Sequence, residues 1–122
     1  MSLQNIRIAY FIWAAGMIAV IILSLMPPGQ NLPLSHFASD KIRHFICYAL
    51  LAFAACQAGR DWKRRIHMCI VTFFISVLIE FLQPYTGRDF EVLDMLANLS
   101  GILTGISITF ILLRWQQAHA RP

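Results

Sequence analysis

The sequence predicts an all-α polytopic membrane protein: a compact bundle of about four transmembrane helices with both termini in the cytoplasm. Three observations carry that expectation. Of the 122 residues, 58% are hydrophobic and only 13% are charged, whereas soluble domains carry about a quarter charged residues. Four apolar runs alternate with short polar segments. The basic residues gather in every second segment, as the positive-inside rule demands. The length suits one domain spanning residues 1–122 rather than two.

The first run, about 8–26, is uncharged and matches the roughly 20 helical residues that cross a hydrocarbon core of about 30 Å. Pro27 and Pro28 close it, since proline lacks the backbone donor and clashes with the preceding turn. A cleaved signal peptide fits less well, because the run exceeds a usual apolar region and no small-x-small cleavage site follows before the prolines. The segment from Pro27 to Ser39, rich in Pro, Gly and Asn, reads as an irregular loop.

The second run, about 42–59, is less apolar. It carries Arg43 and His44 near its start and then Tyr48 and Gln57, and it counts as a span because charges at a helix end can snorkel to the interface. The third run, about 66–82, sets eleven Ile, Val, Leu or Phe residues against one acid, Glu80. At roughly −0.3 to −0.6 kcal/mol each against about +2.5 to +3.5 for a central acid, the apolar side wins. Pro84 follows its end. The fourth run, about 95–113, has no formal charge and ends at Arg114 and Trp115.

Four spans put Arg7, Arg60, Lys63, Arg64, Arg65, Arg114 and Arg121 on one side, and Lys41, Arg43 and Arg88 on the other. The richer side is the cytoplasm, with Trp62 and Trp115 in its aromatic belt. The net charge of +4 therefore reflects topology and anionic lipid rather than nucleic acid, which is not expected as a partner. Cys47, Cys56 and Cys69 form no CxxC or Cys/His ligand pattern and read as small core residues.

The acids divide the opposite way. Asp40, Glu80, Asp89, Glu91 and Asp94 fall at the outer side, and only Asp61 falls inside. Lys41, His44 and Tyr48 share one helix face, and Asp40 lies one turn from His44. Glu80 and Gln83 share another face, and Asp94, Asn98, Gly101 and Gly105 a third. Ionisable groups within a span face the bundle and pair, so the stripes should meet, with His44, Lys41 or Arg88 partnering Glu80 or Asp94. His44, Glu80 and Asp94 are the candidate catalytic acids or bases. Arg88 and Lys41 suit an anionic head group. A lone histidine with scattered acids lacks metal-ligand spacing, so no metal is expected, and no cofactor motif appears. Three uses compete: a site for a ligand or substrate, a cluster that only fixes helix packing, and an ion or proton path. The last is weakest, since the polar residues stop at one end. Gly101 and Gly105 form a GxxxG that packs helices within the chain or seams a homodimer.

These residues resemble the VanZ-like family of small bacterial membrane proteins, over most of the chain from about Ser24 to Gly105. Ser24-Leu25-Met26-Pro27 comes first. Asp40-Lys41-Ile42-Arg43-His44-Phe45 with Tyr48 is similar to the family's D-K-x-x-H-F-x-x-Y. Glu80 with Gln83, Gly87-Arg88, and Asp94, Asn98, Gly101 and Gly105 are similar to its E-x-x-Q, G-R and D-x-x-x-N-x-x-G-x-x-x-G series. Thr86 departs from the proline many members place there. The resemblance implies a small helical domain in the bacterial cytoplasmic (inner) membrane. The name-giving member is associated with low-level resistance to teicoplanin, an activity that does not follow for this chain from resemblance. What does follow as an expectation is an outward-facing polar site for an envelope lipid or cell-wall-related amphiphile. The alternative is an accessory protein acting through a partner membrane protein.

Overall fold

The computed structural model describes residues 2–27, 29 and 40–120. Among these it is all helical: α1 Leu3–Leu25, α2 Asp40–Ala58, α3 Trp62–Leu82 and α4 Val92–His119, with a 3-10 turn at Gln83–Thr86. Most of the Pro27–Ser39 loop, and Arg121 of the charge count, lie outside the described residues.

Local chemistry sets the helix ends. The Ser2 hydroxyl accepts from the Asn5 N–H at 3.3 Å, so α1 starts ahead of the apolar run and takes in Arg7. Met26, which precedes proline, is extended (φ −67°, ψ 136°) and stops the helix. The Asp61 carboxylate accepts from the Arg64 N–H at 2.9 Å and starts α3 before Ile66. α4 runs 28 residues, past the apolar run at both ends. At 1.5 Å per residue it is about 42 Å long, more than the hydrocarbon core needs.

Consecutive helices run up and down. One end of the bundle collects the C-terminus of α1, the start of α2, the turn after α3 and the start of α4: Gln83 Nε2 donates to the Ser24 carbonyl, and Lys41 pairs with Glu91. At the other end Trp62 packs on Phe110 with ring centroids 5.8 Å apart, and the Arg65 and Arg114 guanidinium groups lie over Trp62 and Phe110. Trp62 thus sits in a cluster of cations and aromatic rings at this end of the bundle.

The burial pattern is inverted relative to a soluble domain. Glu80, Asn98, Thr72, Thr109 and Ser76 are fully buried, while Phe11, Phe74, Leu50 and Ile111 are exposed. In water such an apolar surface would mark a binding or aggregation face; in lipid it is the expected exterior. Three helices are long and apolar enough to cross a membrane: Leu3–Leu25, the Trp62–Thr86 stretch and Val92–His119.

α2 differs from these three for a structural reason. It touches each of the other helices and packs most extensively on α4. Its inner face is Tyr48, Leu51, Ala52, Ala55 and Cys56, all buried. Its exposed residues are Ile42, Ile46, Cys47 and Leu50. A helix shielded by its neighbours does not need a uniformly apolar surface, and small side chains let those neighbours approach. The GxxxG is the clearest case. A Cβ on Gly101 would come within 2.3 Å of the Phe45 carbonyl oxygen, and one on Gly105 within 2.5 Å of the Ala49 carbonyl oxygen. Both glycines are thus taken by α2 of the same chain, so a homodimer through that stripe would have to displace α2.

Several polar side chains inside the bundle bond to one another or back to the helix. Trp13 Nε1 donates to Thr72 Oγ1 at 2.9 Å, and Thr72 donates to the Met68 carbonyl. The first bond ties α1 to α3 at mid-depth, where such contacts contribute on the order of 0.6 kcal/mol.

Candidate functional site

Four segments converge at the end of the bundle that holds the start of α2. The first turns of α2 carry Asp40, Lys41, Arg43 and His44, and Tyr48 lies one turn deeper, buried. The last turn of α3 carries Glu80. The 3-10 turn carries Gln83, and the first turns of α4 carry Asp94 and Asn98.

Gly87 shapes the turn. Its φ of 81° lies in the left-handed region that suits glycine, and its N–H bonds to the Pro84 carbonyl at 3.3 Å. The chain then reverses, and the Arg88 N–H bonds to the Gln83 carbonyl at 3.2 Å. Thr86 donates from its hydroxyl to the same Gln83 carbonyl at 2.9 Å.

His44 occupies the middle. Its Nδ1–H donates to Asn98 Oδ1 at 2.8 Å. Its Nε2 faces Asp94 Oδ2 at 3.5 Å and Asp40 Oδ2 at 3.7 Å, and Glu80 Oε1 stands 4.0 Å from Nδ1. The second oxygen of each aspartate is paired: Asp94 Oδ1 lies 2.8 Å from Lys41 Nζ, and Asp40 Oδ1 pairs with Arg43. Lys41 also pairs with Glu91. Glu80 has no exposed surface, and neither of its oxygens makes a hydrogen bond of normal geometry.

The structure therefore brings together Asp40, Lys41, His44, Glu80, Asp94 and Asn98, with Tyr48 beneath them. Two expectations change. Arg88 pairs with neither Glu80 nor Asp94; the reversal at Gly87 carries it to the rim, where its Nη1 approaches the Leu23 carbonyl at 3.5 Å. Asp40, His44 and Asp94 also come within metal-ligand reach of one another, which linear spacing conceals because Asp94 comes from a different helix. Sequence reasoning left out Arg43 and Glu91. Both have a local signal, since they lie three residues from Asp40 and Asp94 and so face the same way.

A cavity of about 230 Å³ opens beside this cluster, lined by Asp40, Gln83, Gly87, Arg88, Asp89, Glu91 and Asp94. It combines one guanidinium with several carboxylates, and its wall shares Asp40 and Asp94 with the His44 cluster. Such a site can hold a polar or charged group at the edge of the bundle and place it beside an imidazole and two acids.

No curated protein and no solved structure matches the chain significantly. The family model described as VanZ/LLP1 matches residues 5–113, a stretch that includes all four helices but for the first residues of α1 and the last of α4. An inverted burial pattern, three helices fit to cross a membrane and that match lead to one conclusion: the chain is a multi-pass membrane protein and belongs to the VanZ/LLP1 family.

Proposed function

We propose that this protein uses the cavity at Arg88 to bind the head group of an anionic envelope amphiphile, a membrane lipid or cell-wall-related molecule, on the outer side of a bacterial cytoplasmic membrane. In this reading α2 is the fourth span and both termini are cytoplasmic. The sequence places seven basic residues on the side of the termini and three on the other, which supports that orientation.

The observation that carries the reading is Arg88 itself. Among the described residues it forms no ion pair, and it lines a cavity at the end of an otherwise lipid-facing bundle. A guanidinium gives bidentate contacts to phosphate or carboxylate. An amphiphile could place its head group there and leave its chains in the bilayer. His44, Asp94 and Glu80 would then stand behind the head group as candidate acids and bases.

Native mass spectrometry of the purified protein, with and without Arg88→Ala, tests this. We expect an anionic lipid to stay bound to the wild type and to bind about 10- to 100-fold more weakly to the variant, as charge-assisted hydrogen bonds of roughly 1.5–3 kcal/mol imply. Equal retention in both proteins removes the reading. Orientation has a separate check. With Cys47 replaced, a cysteine at position 89 should react with an impermeant maleimide from outside, and one at position 63 only after permeabilisation; the reverse pattern overturns the topology.

A second reading has its own support. Lys41 bridges α2 to both Glu91 and Asp94 of the α4 side, as a cluster that only fixes helix packing would. An accessory protein of that kind would lose thermal stability on substitution of these residues and show no change in lipid retention.

A further inference from the structure

We propose that Asp40, His44 and Asp94 form a site for a divalent cation of the zinc type, with its open coordination position facing the Arg88 cavity. The cation half of this inference stands on the cluster alone; the ligand half rests on the proposed amphiphile site and deepens it.

Geometry is the first support. One oxygen of each aspartate is already taken, by Arg43 and by Lys41. The other oxygen of each turns to the same imidazole nitrogen, at 3.5 and 3.7 Å from Nε2. These separations are too long for good hydrogen bonds, whose N···O distance is about 2.7–3.2 Å. They suit ligands that share an ion: donors about 2.0–2.2 Å from a tetrahedral zinc are about 3.3–3.6 Å apart. An octahedral ion with similar bonds would need its neighbouring ligands at only about 3 Å.

The imidazole is also set for the task. Because Nδ1–H donates to Asn98 Oδ1 at 2.8 Å, Nε2 presents its lone pair to the two carboxylate oxygens. In the neutral imidazole Nε2 would offer its lone pair to a cation shared with those two oxygens. A metal-bound histidine held through its other nitrogen is the usual outer-shell arrangement.

Charge is the second, independent support. Glu80 is buried on the far side of the ring, makes no hydrogen bond of normal geometry, and its Oε1 stands 4.0 Å from Nδ1. This end of the chain carries five carboxylates (Asp40, Glu80, Asp89, Glu91 and Asp94) against three permanent cations (Lys41, Arg43 and Arg88). Carboxyl groups outnumber permanent cations by two at this end. A divalent ion would suit such an acid-rich cluster.

The cation would sit behind a cavity whose wall includes two of its ligands and Arg88. An anionic oxygen donor, phosphate or carboxylate, could then bridge metal and guanidinium. Two positive centres on one side of the donor also explain how an anion could settle among so many acids.

The test uses full-length, metal-stripped protein in detergent, titrated with zinc chloride in a calorimeter. We expect one Zn²⁺ per chain and far weaker uptake of Mg²⁺. Asp40→Asn and His44→Ala should each weaken zinc at least tenfold. Asn98→Ala should weaken it about 10- to 100-fold through the lost orientation of the ring. Arg88→Ala should not weaken it. Asp40 is only partly buried at a helix start, so its variant retains the fold, which circular dichroism checks. A wild type that takes up no stoichiometric Zn²⁺, or an Asp40→Asn protein that binds it like the wild type, overturns the site. Adding inorganic phosphate, or nanodiscs containing phosphatidylglycerol, separates a free anion from a lipid head group as the bridging donor. Arg88-dependent lipid retention without zinc uptake would sink this inference and leave the proposed function standing. Zinc uptake without lipid retention would do the reverse.

Discussion

Gly101→Ala is expected to disrupt the bundle more than any other single-methyl change in the chain. The added carbon would sit 2.3 Å from the Phe45 carbonyl oxygen and 3.0 Å from the Ala49 nitrogen. Both are backbone atoms of α2, so no side-chain rotation relieves the clash, and the two helices must separate. Overpacking typically costs about 1–3 kcal/mol, and more where backbone must move. Separation would also pull His44 away from Asn98, because the two are linked across the same helix pair at 2.8 Å. We therefore expect a large drop in the detergent unfolding temperature together with loss of zinc and lipid binding. Gly105→Ala should act in the same direction, with its clash at the Ala49 carbonyl. Size-exclusion chromatography separates this account from a dimer seam: on the packing seen here, mild variants destabilise the chain without changing its oligomeric state. Variants that keep the wild-type unfolding temperature while dissociating an oligomer would show that the glycines serve a second copy instead.

Glu80→Gln is expected to have the opposite sign. Glu80 has no exposed surface, makes no normal hydrogen bond, and lies near Asp94 and Asp40 across the His44 ring. A buried polar group without a partner costs roughly 1–3 kcal/mol, and a charged one more. The amide keeps the shape and removes the charge, so metal-free protein should unfold several degrees higher. Zinc affinity should fall, since a carboxyl group that a nearby cation would favour in its ionised form is gone. Such an exchange of stability for function is common where a site holds strain or uncompensated charge. A variant that unfolds earlier than the wild type and binds zinc equally well would mean that Glu80 is a packing group whose carboxylate has an unseen structural partner.

Much of this arrangement is legible in the sequence because the bilayer restricts the choices. A run such as 8–26, with no charge over its length, has no other comfortable solvent. The sharing of helix faces by Lys41, His44 and Tyr48, and by Asp94, Asn98 and Gly101, follows from helical period alone. The meeting of those stripes follows from the cost of leaving them in lipid. Partner choice is less accessible. It depends on rotation and depth, which are set by contacts such as Gly101 against Phe45, and no periodicity encodes those. Arg88 is the instructive case. Its charge suggests a carboxylate partner, but a left-handed glycine immediately before it redirects the chain to the rim. The ligand-like grouping of Asp40, His44 and Asp94 is hidden for a related reason: two members are one turn apart on α2, and the third arrives from a helix fifty residues later.

The central position of α2 has a consequence for how the protein is made. A segment that opens with Asp40, Lys41 and Arg43 and is less apolar than the other three helices is a weaker substrate for the translocon. On the proposed topology its tolerance for the bilayer comes from shielding, chiefly by α4, which leaves the ribosome later. On the proposed topology α2 therefore cannot settle when it is first synthesised. It must wait at the interface, or re-enter as a hairpin with α3, until α4 emerges to receive it. The settling of α2 then hinges on the synthesis of a helix made well after it.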